Sequence, residues 1–282
     1  MNSADTWNRG AKAYQRHIKG SAPLGPVYQH FATDVAAHLQ ATCTEPYRVL
    51  DVASATGEPA FTLADTLAGV HVTVTDIAET MVELAEKEGC DRNIRNASFQ
   101  VANGEDLSAW SDGTFDAVMC ASAIFMMDAA RALGEWKRVL KPGGYVAFST
   151  WQLGEKHQLS GLVGATMARI TPGTRPPLPT QDLTKPEPVE ALLQAAGFED
   201  IHYRDMNVPM HLSPSEVEDL TENPMFSIWI EKNAPAGPER EAFSACALKT
   251  LRAVAHERSY LKDDGCLTCP VQGLLYFTAL KP

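Results

Sequence analysis

Apolar and polar positions along this chain follow two alternating periods, which predict strands and helices in turn. The apolar run at residues 49–52 predicts a short buried strand, and apolar positions from residue 60 to 67 recur at helical spacing. Small residues fill the segment 53–57 between them. Pro59 stands where the first helical residue is expected, and Gly69 where the helix ends. A strand, a turn of small residues and a helix are typical of a nucleotide-type site in a doubly wound α/β sheet.

The same two periodicities predict strands and helices over the rest of the chain. Two amphipathic helices are predicted within residues 3–40, separated by a Pro/Gly break at 21–26. Further strands are predicted over residues 70–76, 98–102, 112–122, 145–151, 201–208 and 274–280. Further helices are predicted over residues 129–140, 154–170, 187–196 and 238–257, and a capping box at 213–216.

Composition narrows the class of protein. The 282 residues include 45% hydrophobic and 21% charged residues, which is ordinary for a globular protein with a large core. A net charge of −11 disfavours a nucleic-acid partner, because phosphate backbones are bound by basic patches. The first ten residues are too polar for a signal peptide, and no apolar run is long enough to cross a membrane. Of the six cysteines, only the pair Cys266/Cys269 has C-x-x-C spacing. We therefore expect a cytoplasmic protein without a membrane span, a structural metal or disulfides.

Four motifs together carry a family resemblance. They are D-V-A-S-A-T-G at residues 51–57, D-I-A-E-T-M at 76–81, N-G-E-D-L at 103–107, and F-D-A-V … R-V-L-K-P-G-G-Y-V-A-F-S-T-W over 115–151. The series resembles class I S-adenosylmethionine-dependent methyltransferases, in particular the ubiquinone/menaquinone-biosynthesis type and its secondary-metabolism relatives. Alanine stands at the first two glycine positions of the family's D-V-G-C-G-T-G motif. The dinucleotide fingerprint and the P-loop motif are both absent from this turn.

The resemblance implies an α/β fold. It is the Rossmann-like class I methyltransferase fold, a mostly parallel seven-stranded sheet with its last strand antiparallel and helices on both faces. Residues 1–44 would form an N-terminal helical cap and 45–151 the S-adenosylmethionine-binding core. Residues 152–282 would supply a lid insertion, the remaining strands and the acceptor pocket.

The resemblance also assigns cofactor-binding residues. The cofactor would be S-adenosylmethionine, with S-adenosylhomocysteine as product and without a metal. Its methionine part would contact Asp51, Ala53, Ser54, Ala55 and Gly57, and its ribose would contact Asp76. Its adenine would contact Ile77, Met81, Asn103, Gly104 and Glu105, and Ala121 and Ser122 would lie near the methyl group. The residues themselves support a ribose role for Asp76, since it follows a predicted strand and lies 25 positions after Asp51. The alternative is that Asp76 caps the next helix. Tyr14 either covers the cofactor from the N-terminal helix or simply packs on the sheet.

The acceptor side is less constrained by the sequence. Candidate pocket residues are Phe125, Met126, Trp151, His157, Phe226 and Trp229. The alternative is core packing for the apolar and aromatic residues, and a structural or solvent-exposed role for His157. Candidate bases by residue type are Tyr14, His17, His30, His157 and His202, and no catalytic residue is assigned. We expect methyl transfer to carbon or oxygen of a small, apolar or aromatic metabolite. The alternatives are a macromolecular acceptor, or a protein that binds S-adenosylmethionine without transferring its methyl group. The oligomeric state is left open, with a homodimer as one option.

Overall fold

The computed structural model describes residues 4–21, 24–153, 156–173, 182–222, 230, 233–234 and 237–282. The chain begins with the two predicted helices, α1 (Ala4–Ser21) and α2 (Gly25–Thr42). Helix α2 buries the apolar stripe that includes Val27, Phe31 and Val35. The spacing of these positions at three or four residues explains why this segment is a helix packed by one face.

The central region alternates strands and helices. Its elements are β1 (Tyr47–Asp51), α3 (Ala60–Thr66), β2 (Val70–Asp76), α4 (Glu79–Asp91), β3 (Ala97–Val101), β4 (Phe115–Cys120), α5 (Ala129–Val139) and β5 (Leu140–Trp151). A short 3₁₀ turn, Ile124–Met126, joins β4 to α5.

The C-terminal region returns to the same sheet. It consists of α6 (Gln158–Ile170), α7 (Pro186–Ala196), β6 (Glu199–Asn207), β7 (Met210–Leu212), α8 (Pro214–Asp219), α9 (Pro238–Glu257), β8 (Leu267–Cys269) and β9 (Gly273–Leu280). No helix within the described segments is long and apolar enough to cross a bilayer.

One seven-stranded sheet organises the molecule, with the order β3-β2-β1-β4-β5-β9-β6. Strands β1 to β5 are parallel to one another, and β9 runs antiparallel between β5 and β6. The predicted fold, a mostly parallel seven-stranded sheet with an antiparallel last strand, is confirmed. The strand order reverses between β1 and β4, and ligands of such sheets bind at this switch point, beyond the carboxyl ends of the strands.

Local sequence signals explain most helix ends. The capping box is present, because the Ser213 side chain and Glu216 bond to each other's backbone N–H. Gly197 ends α7 in the left-handed conformation, as its position predicts. Helix α3 differs from the prediction by one residue, since Pro59 is its N-cap and Ala60 its first residue.

The fifth strand begins earlier than predicted. We placed its start at Tyr145 because Pro142, Gly143 and Gly144 indicate a break, yet β5 runs from Leu140. The N–H of Gly143 donates to the Lys281 carbonyl, and the N–H of Lys281 donates to the Gly144 carbonyl. Hydrogen bonds from the far end of the chain therefore hold this glycine-rich segment in the sheet.

A separate apolar cluster lies outside the two that flank the sheet. It joins α6, α8, α9 and the small β7–β8 sheet through side chains such as Leu162, Val217, Leu251 and Leu267. Helix α1 packs against α4 of the central region and also against α8 and β7. The N-terminal helix therefore contacts both the core and the C-terminal layer.

Candidate active site

Two buried carboxylates lie at the carboxyl ends of neighbouring strands. Asp51 is the last residue of β1 and Asp76 the last residue of β2, and their exposed fractions are 0% and 7%. Both therefore stand beside the switch point of the sheet, where a ligand is expected. A buried carboxylate is costly unless it is hydrogen-bonded, so the partners of each decide its role.

Asp51 is only half satisfied by the protein. Its Oδ2 accepts hydrogen bonds from the Ser54 hydroxyl at 2.6 Å and from the Ala60 N–H at 3.1 Å, while its Oδ1 is buried without a partner among the described residues. Burial raises the pKa of Asp51 to about 7, against the lowering effect of the two hydrogen bonds. The unpartnered oxygen is suited to a ligand that brings a hydrogen-bond donor or a positive charge.

Asp76 uses both of its oxygens on the turns beside it. Oδ2 accepts from the Ala55 N–H at 3.1 Å and Oδ1 from the Ala78 N–H at 2.9 Å. Burial raises the pKa of this carboxyl to about 6. The N-cap of α4 is Ala78, and no side chain caps that helix, so the capping alternative for Asp76 is wrong. Each oxygen keeps a second lone pair that can accept from a vicinal diol.

The turn between β1 and α3 is strained. Ala53 and Ala55 have φ of 53° and 49°, and Gly57 has φ of 107°. A left-handed conformation costs an alanine about 1–2 kcal/mol relative to its ordinary conformation. The Ser54 N–H donates to the Thr75 carbonyl at 2.8 Å, which fixes the turn against β2. Strain held in this way is common where a backbone must approach a ligand closely.

We expect Ala53→Gly and Ala55→Gly each to raise the free energy of unfolding by about 0.5–1 kcal/mol. Relief of about 1–2 kcal/mol of left-handed strain exceeds the added backbone entropy of the unfolded glycine chain. The measurement is urea unfolding of each variant. Ala130→Gly, at an exposed position in the first turn of α5, is the matched control and should lower stability by about 1 kcal/mol. A loss of stability in the two turn variants would show that Ala53 and Ala55 are not strained.

The N-terminal helix covers this turn. Ala11, Trp7 and Tyr14 of α1 belong to one apolar cluster with Ala55, Ala78 and Met81. The Asn8 side chain accepts from the Thr80 N–H at 2.9 Å, which ties α1 to the start of α4. Burial, with the Asp76 charge as a smaller cause, raises the pKa of Tyr14 to about 12. Tyr14 therefore lies beside Asp76 as a neutral phenol.

A second tyrosine, Tyr28, lies near Asp51 and Tyr14 and is not among the predicted site residues. Tyr28 of α2 is buried, and its pKa lies well above the ordinary value through burial first and then the charges of Tyr14, Glu58 and Asp51. Tyr28 is not among the residues that the sequence singles out, because it stands beside Val27 in the apolar stripe of α2. The available signal is a phenol within that stripe, since a buried phenol requires a hydrogen-bond partner.

The loop after β3 is tightly packed. The Asn103 Oδ1 accepts from the Glu105 N–H at 3.0 Å, which closes a turn at Asn103 and Gly104. The Gly104 carbonyl accepts from the Trp136 ring N–H at 3.0 Å, and a Cβ at Gly104 would lie 2.5 Å from a methyl carbon of Val52. The Gly104 carbonyl is therefore committed to the core. The Asn103 Oδ1 keeps a second lone pair that can accept from a ligand.

The remaining predicted adenine contacts lie close to this loop or to α1. Glu105 accepts from the Asp128 N–H at 3.1 Å and lies 3.8 Å from Arg131, so its side chain is occupied within the protein. Met81 is 1% exposed and packs in the α1 cluster, and Ile77 is partly buried. Their roles toward a cofactor stay predictions.

The residues predicted near the methyl group of the cofactor and those predicted in the acceptor pocket fall into two groups. Ala121, Ser122 and Trp151 are partly buried at the carboxyl ends of β4 and β5, beside the switch point. Phe125 and Met126 belong to the apolar cluster on the other side, with Phe125 buried in it. Core packing, the alternative interpretation, describes their present contacts. Phe226 and Trp229 lie outside the described residues.

His157 performs a structural task. It is the N-cap of α6, and its Nδ1 accepts from the Ser160 N–H at 3.1 Å. Burial lowers the pKa of His157 to about 4. An imidazole that accepts through Nδ1 carries its proton on Nε2, so neither nitrogen is free to act as a base. Its ring lies edge-on to Trp151, with 4.8 Å between the centroids.

The other candidate bases lie away from the strand ends or are unsuitable. His30 packs edge-on to Tyr276 at 4.6 Å, and His202 is exposed with Asp200 at 3.0 Å. The raised pKa of Tyr14 makes it a poor proton acceptor at neutral pH. The side chain of His17 lies outside the described part of the chain. We therefore assign no catalytic base among the described candidates.

Comparison with known proteins shows which family the central region resembles. Residues 50–148 match the family described as "Methyltransferase domain". The ubiquinone/menaquinone biosynthesis C-methyltransferase UbiE of Zymomonas mobilis subsp. mobilis is 34% identical over 141 residues, 50% of this chain and 55% of the relative. A ubiquinone biosynthesis O-methyltransferase of Bordetella bronchiseptica is 30% identical over 162 residues, 56% of this chain and 65% of the relative. The chain thus spans between half and two thirds of the length of these curated relatives.

Solved structures show the fold. Phosphoethanolamine N-methyltransferase 2 of Haemonchus contortus, in complex with phosphomonomethylethanolamine and S-adenosylhomocysteine, has a TM-score of 0.59 at 18% identity and covers 100% of this chain and 61% of its own. The [4+2]-cyclase SpnF has a TM-score of 0.55 at 22% identity and covers 90% of this chain and 80% of its own. Proteins of different stated activities therefore share this architecture.

The residues present fit S-adenosylmethionine. The orphaned Asp51 oxygen suits its ammonium group, the two Asp76 oxygens suit its ribose diol, and the small left-handed turn allows close approach of its amino-acid tail. The matched residues include the turn, both carboxylates and the strand ends beside them. Residues 50–148 of this chain therefore match the methyltransferase-domain family in sequence, and the sheet to which they contribute has the Rossmann-like, class I methyltransferase topology.

Proposed function

We propose that this protein transfers the methyl group of S-adenosylmethionine to carbon or oxygen of a small, apolar or aromatic metabolite. The observation that carries the proposal is the pair of buried carboxylates at the ends of β1 and β2, of which Asp51 has one oxygen without a partner among the described residues. When bound, S-adenosylmethionine supplies an activated methyl on a sulfonium. The protein's residues then need to hold the reactants in line and exclude water.

Each part of the chain has a task under this proposal. Asp51 and the turn at 53–57 bind the methionine part, Asp76 the ribose, and Asn103 the adenine amino edge. Helix α1, with Tyr14 over Ala55, covers the cofactor and excludes water. Residues 1–44 act as the cap, 45–151 as the cofactor-binding core, and 152–282 as the lid and acceptor pocket. The protein works in the cytoplasm, in small-molecule and secondary metabolism.

The acceptor class follows from chemistry around the strand ends. Ala121 and Trp151 pack against the apolar cluster that also contains Leu24, Tyr28 and Leu274. Such a lining favours an apolar or aromatic molecule over a charged one. The curated relatives act in ubiquinone and menaquinone biosynthesis by their names, on carbon in one case and oxygen in the other. The net charge of −11 disfavours RNA or DNA as the acceptor.

A second candidate function is binding S-adenosylmethionine without methyl transfer. The specific observation behind it is the shared fold with a protein titled as a [4+2]-cyclase. The fold alone does not decide the reaction, because one architecture hosts many activities. The decisive difference is whether S-adenosylhomocysteine accumulates with an acceptor present.

The test of the proposed function is calorimetric titration of the purified protein with S-adenosylmethionine and, separately, with NAD. We expect saturable binding of the first and none of the second. Incubation with aromatic and prenylated phenols, followed by chromatography, then measures S-adenosylhomocysteine formation. Binding without any S-adenosylhomocysteine favours the second candidate. Failure to bind S-adenosylmethionine overturns the proposal.

We expect affinity for S-adenosylmethionine to weaken as the pH falls through about 7 to 6. The raised pKa values of Asp51 and Asp76, about 7 and about 6, mean that the free protein holds protons on these carboxyls which the ammonium and diol of the ligand displace. Each displaced proton weakens binding about tenfold per pH unit below the pKa. Titrations in buffers of different ionisation enthalpy should show proton release at pH 6.5. Affinity that is constant from pH 5.5 to 8 would contradict this.

The same pKa values determine whether the stability of the free protein rises or falls with pH. Between about pH 4 and 7 the native state holds more protons on these carboxyls than the unfolded state, whose carboxyls have ordinary pKa values. The contribution of Asp51 and Asp76 to stability is therefore present at low pH and is lost as the pH rises through 6 and 7. Urea unfolding of the free protein at pH 5 and pH 8 measures this difference.

A further inference from the structure

Two serine hydroxyls meet at the carboxyl ends of β4 and β5. The backbone N–H of Ser122 donates to the Ser149 Oγ at 2.9 Å, and the two hydroxyl oxygens lie 3.2 Å apart. Ser149 is completely buried, whereas Ser122 is partly exposed at the end of a strand that is buried throughout. One member of the pair is thus sealed in the protein, and the other faces the end of the sheet.

The direction of the hydrogen bond between the hydroxyls follows from this arrangement. Ser149 already accepts from the Ser122 N–H. If it also accepted from the Ser122 hydroxyl, its own O–H would be buried without an acceptor among the described residues, which is costly. The favoured arrangement has Ser149 donating to the Ser122 Oγ. The Ser122 hydroxyl hydrogen is then directed away from Ser149 and is available to a ligand.

The backbone of Ser122 is held in a strained conformation. Its φ is 57°, which costs a serine about 1–2 kcal/mol and persists only where the surroundings enforce it. The hydrogen bond from the Ser122 N–H to Ser149 is the contact that holds it. Strained residues with an exposed polar group cluster at ligand sites.

The surroundings of the pair are apolar and lie beside the switch point. Ala121, which precedes Ser122, and Trp151, two residues after Ser149, pack against the apolar cluster on the α2 side of the sheet. Ser149 and Tyr276 are register partners on β5 and β9, so the Tyr276 ring lies on the same side. A single outward hydroxyl in such surroundings distinguishes an apolar molecule that carries an oxygen from one that does not.

We infer that Ser122 donates a hydrogen bond to an oxygen of the methyl acceptor, and that Ser149 is the positioning residue that directs it. The acceptor class is an aromatic molecule with a phenolic oxygen near the atom to be methylated. The inference rests on the proposed function and refines its acceptor. Neither role follows from the family resemblance, which places Ser122 only near the transferred methyl and does not mention Ser149.

The experiment measures binding rather than turnover. Wild-type protein saturated with S-adenosylhomocysteine is titrated calorimetrically with 1-naphthol and with 1-methylnaphthalene, which replaces the hydroxyl by a methyl group of similar size. We expect wild type to bind 1-naphthol about tenfold more tightly, the upper range for one hydrogen bond. Ser122→Ala and Ser122→Gly should both lose this preference while binding 1-methylnaphthalene as before. The glycine variant also relieves the strain, so a folding defect cannot imitate the result.

Ser149→Ala tests the positioning role. It should reduce the preference for 1-naphthol by several-fold and leave the affinity for S-adenosylhomocysteine unchanged. Thr150→Val is the matched control, because Thr150 is the next residue, is equally buried and lies on the opposite face of β5. Its hydroxyl has no partner in the part of the chain that the structure describes. Its preference should equal that of wild type.

Three outcomes overturn the inference. They are a preference retained in both Ser122 variants, a preference lost equally in Thr150→Val, and no binding of either naphthalene to the S-adenosylhomocysteine-saturated wild type. Its failure is distinguishable from that of the proposed function. A protein that binds S-adenosylhomocysteine but shows no preference loses only the Ser122 role, whereas a protein that does not bind S-adenosylhomocysteine loses both.

Discussion

Replacing Asp76 by alanine should weaken S-adenosylmethionine binding by more than a hundredfold while the fold survives. Both carboxylate oxygens lie at the end of β2, each with a lone pair left after accepting from the Ala55 and Ala78 N–H groups. Two charge-assisted hydrogen bonds to a ribose diol contribute about 1.5–3 kcal/mol each. Their joint loss corresponds to at least two orders of magnitude in the dissociation constant.

Stability should change much less than affinity. The raised pKa of Asp76 means that the ionised carboxylate at pH 8 is unfavourable for the fold, so its removal offsets part of the loss of two hydrogen bonds. We expect a fall of about 1 kcal/mol in the free energy of unfolding at that pH. Calorimetry with S-adenosylmethionine and urea unfolding without it separate the two effects. Unchanged affinity in Asp76→Ala would remove the ribose assignment.

Asp116 provides the matched control. It is a carboxylate of similar burial on β4, but it lies at the amino end of the strand, where it accepts from the Arg48 N–H at 2.8 Å and pairs with Lys141 at 2.6 Å. Asp116→Ala should lower stability and leave affinity for S-adenosylmethionine unchanged. Asn103→Ala, which removes one neutral side chain of the adenine loop, should weaken binding by about 1 kcal/mol. The three variants together locate the cofactor along the carboxyl edge of the sheet.

The elements that the sequence predicted are those fixed by near neighbours. The turn at 53–57, the acid at the end of β2 and the box at Ser213 and Glu216 depend on residues a few positions apart, so their patterns are visible in the chain. The sheet followed from the succession of such units, because parallel strands joined by helices have few possible arrangements. The strain at Ala53 and Ala55 was also foreseeable, since the family places glycine at both positions.

Features set by distant contacts could not be predicted. The start of β5 at Leu140 depends on hydrogen bonds with Lys281, and the commitment of the Gly104 carbonyl depends on Trp136 across a loop. Tyr28 reaches Asp51 only because α2 packs on α3, and His157 could not be recognised as a cap before the start of α6 was known. In each case the partner is chosen by the fold and leaves no local pattern.

The largest loss of stability should follow from Gly57→Ala. Gly57 has φ of 107°, and a Cβ built there would lie 2.0 Å from one ring carbon of Phe61 and 2.2 Å from another. Phe61 is fully buried in α3 and packs edge-on to Phe99, so its ring has no room to withdraw. Left-handed strain of about 1–2 kcal/mol and overpacking of about 1–3 kcal/mol together predict a fall of about 3 kcal/mol in the free energy of unfolding.

The clash can be separated from the strain by a second substitution. Phe61→Leu alone should destabilise the protein by leaving a space in the core, but it removes the ring carbons that the new Cβ meets. The double variant should therefore be more stable than the sum of the two single effects, by 1 kcal/mol or more. Gly134→Ala is the matched control, since its Cβ meets nothing within 4 Å in α5, and it should raise stability by about 0.5–1 kcal/mol. Additive effects of Gly57→Ala and Phe61→Leu would show that strain alone excludes a side chain at Gly57, and that Phe61 has no part in it.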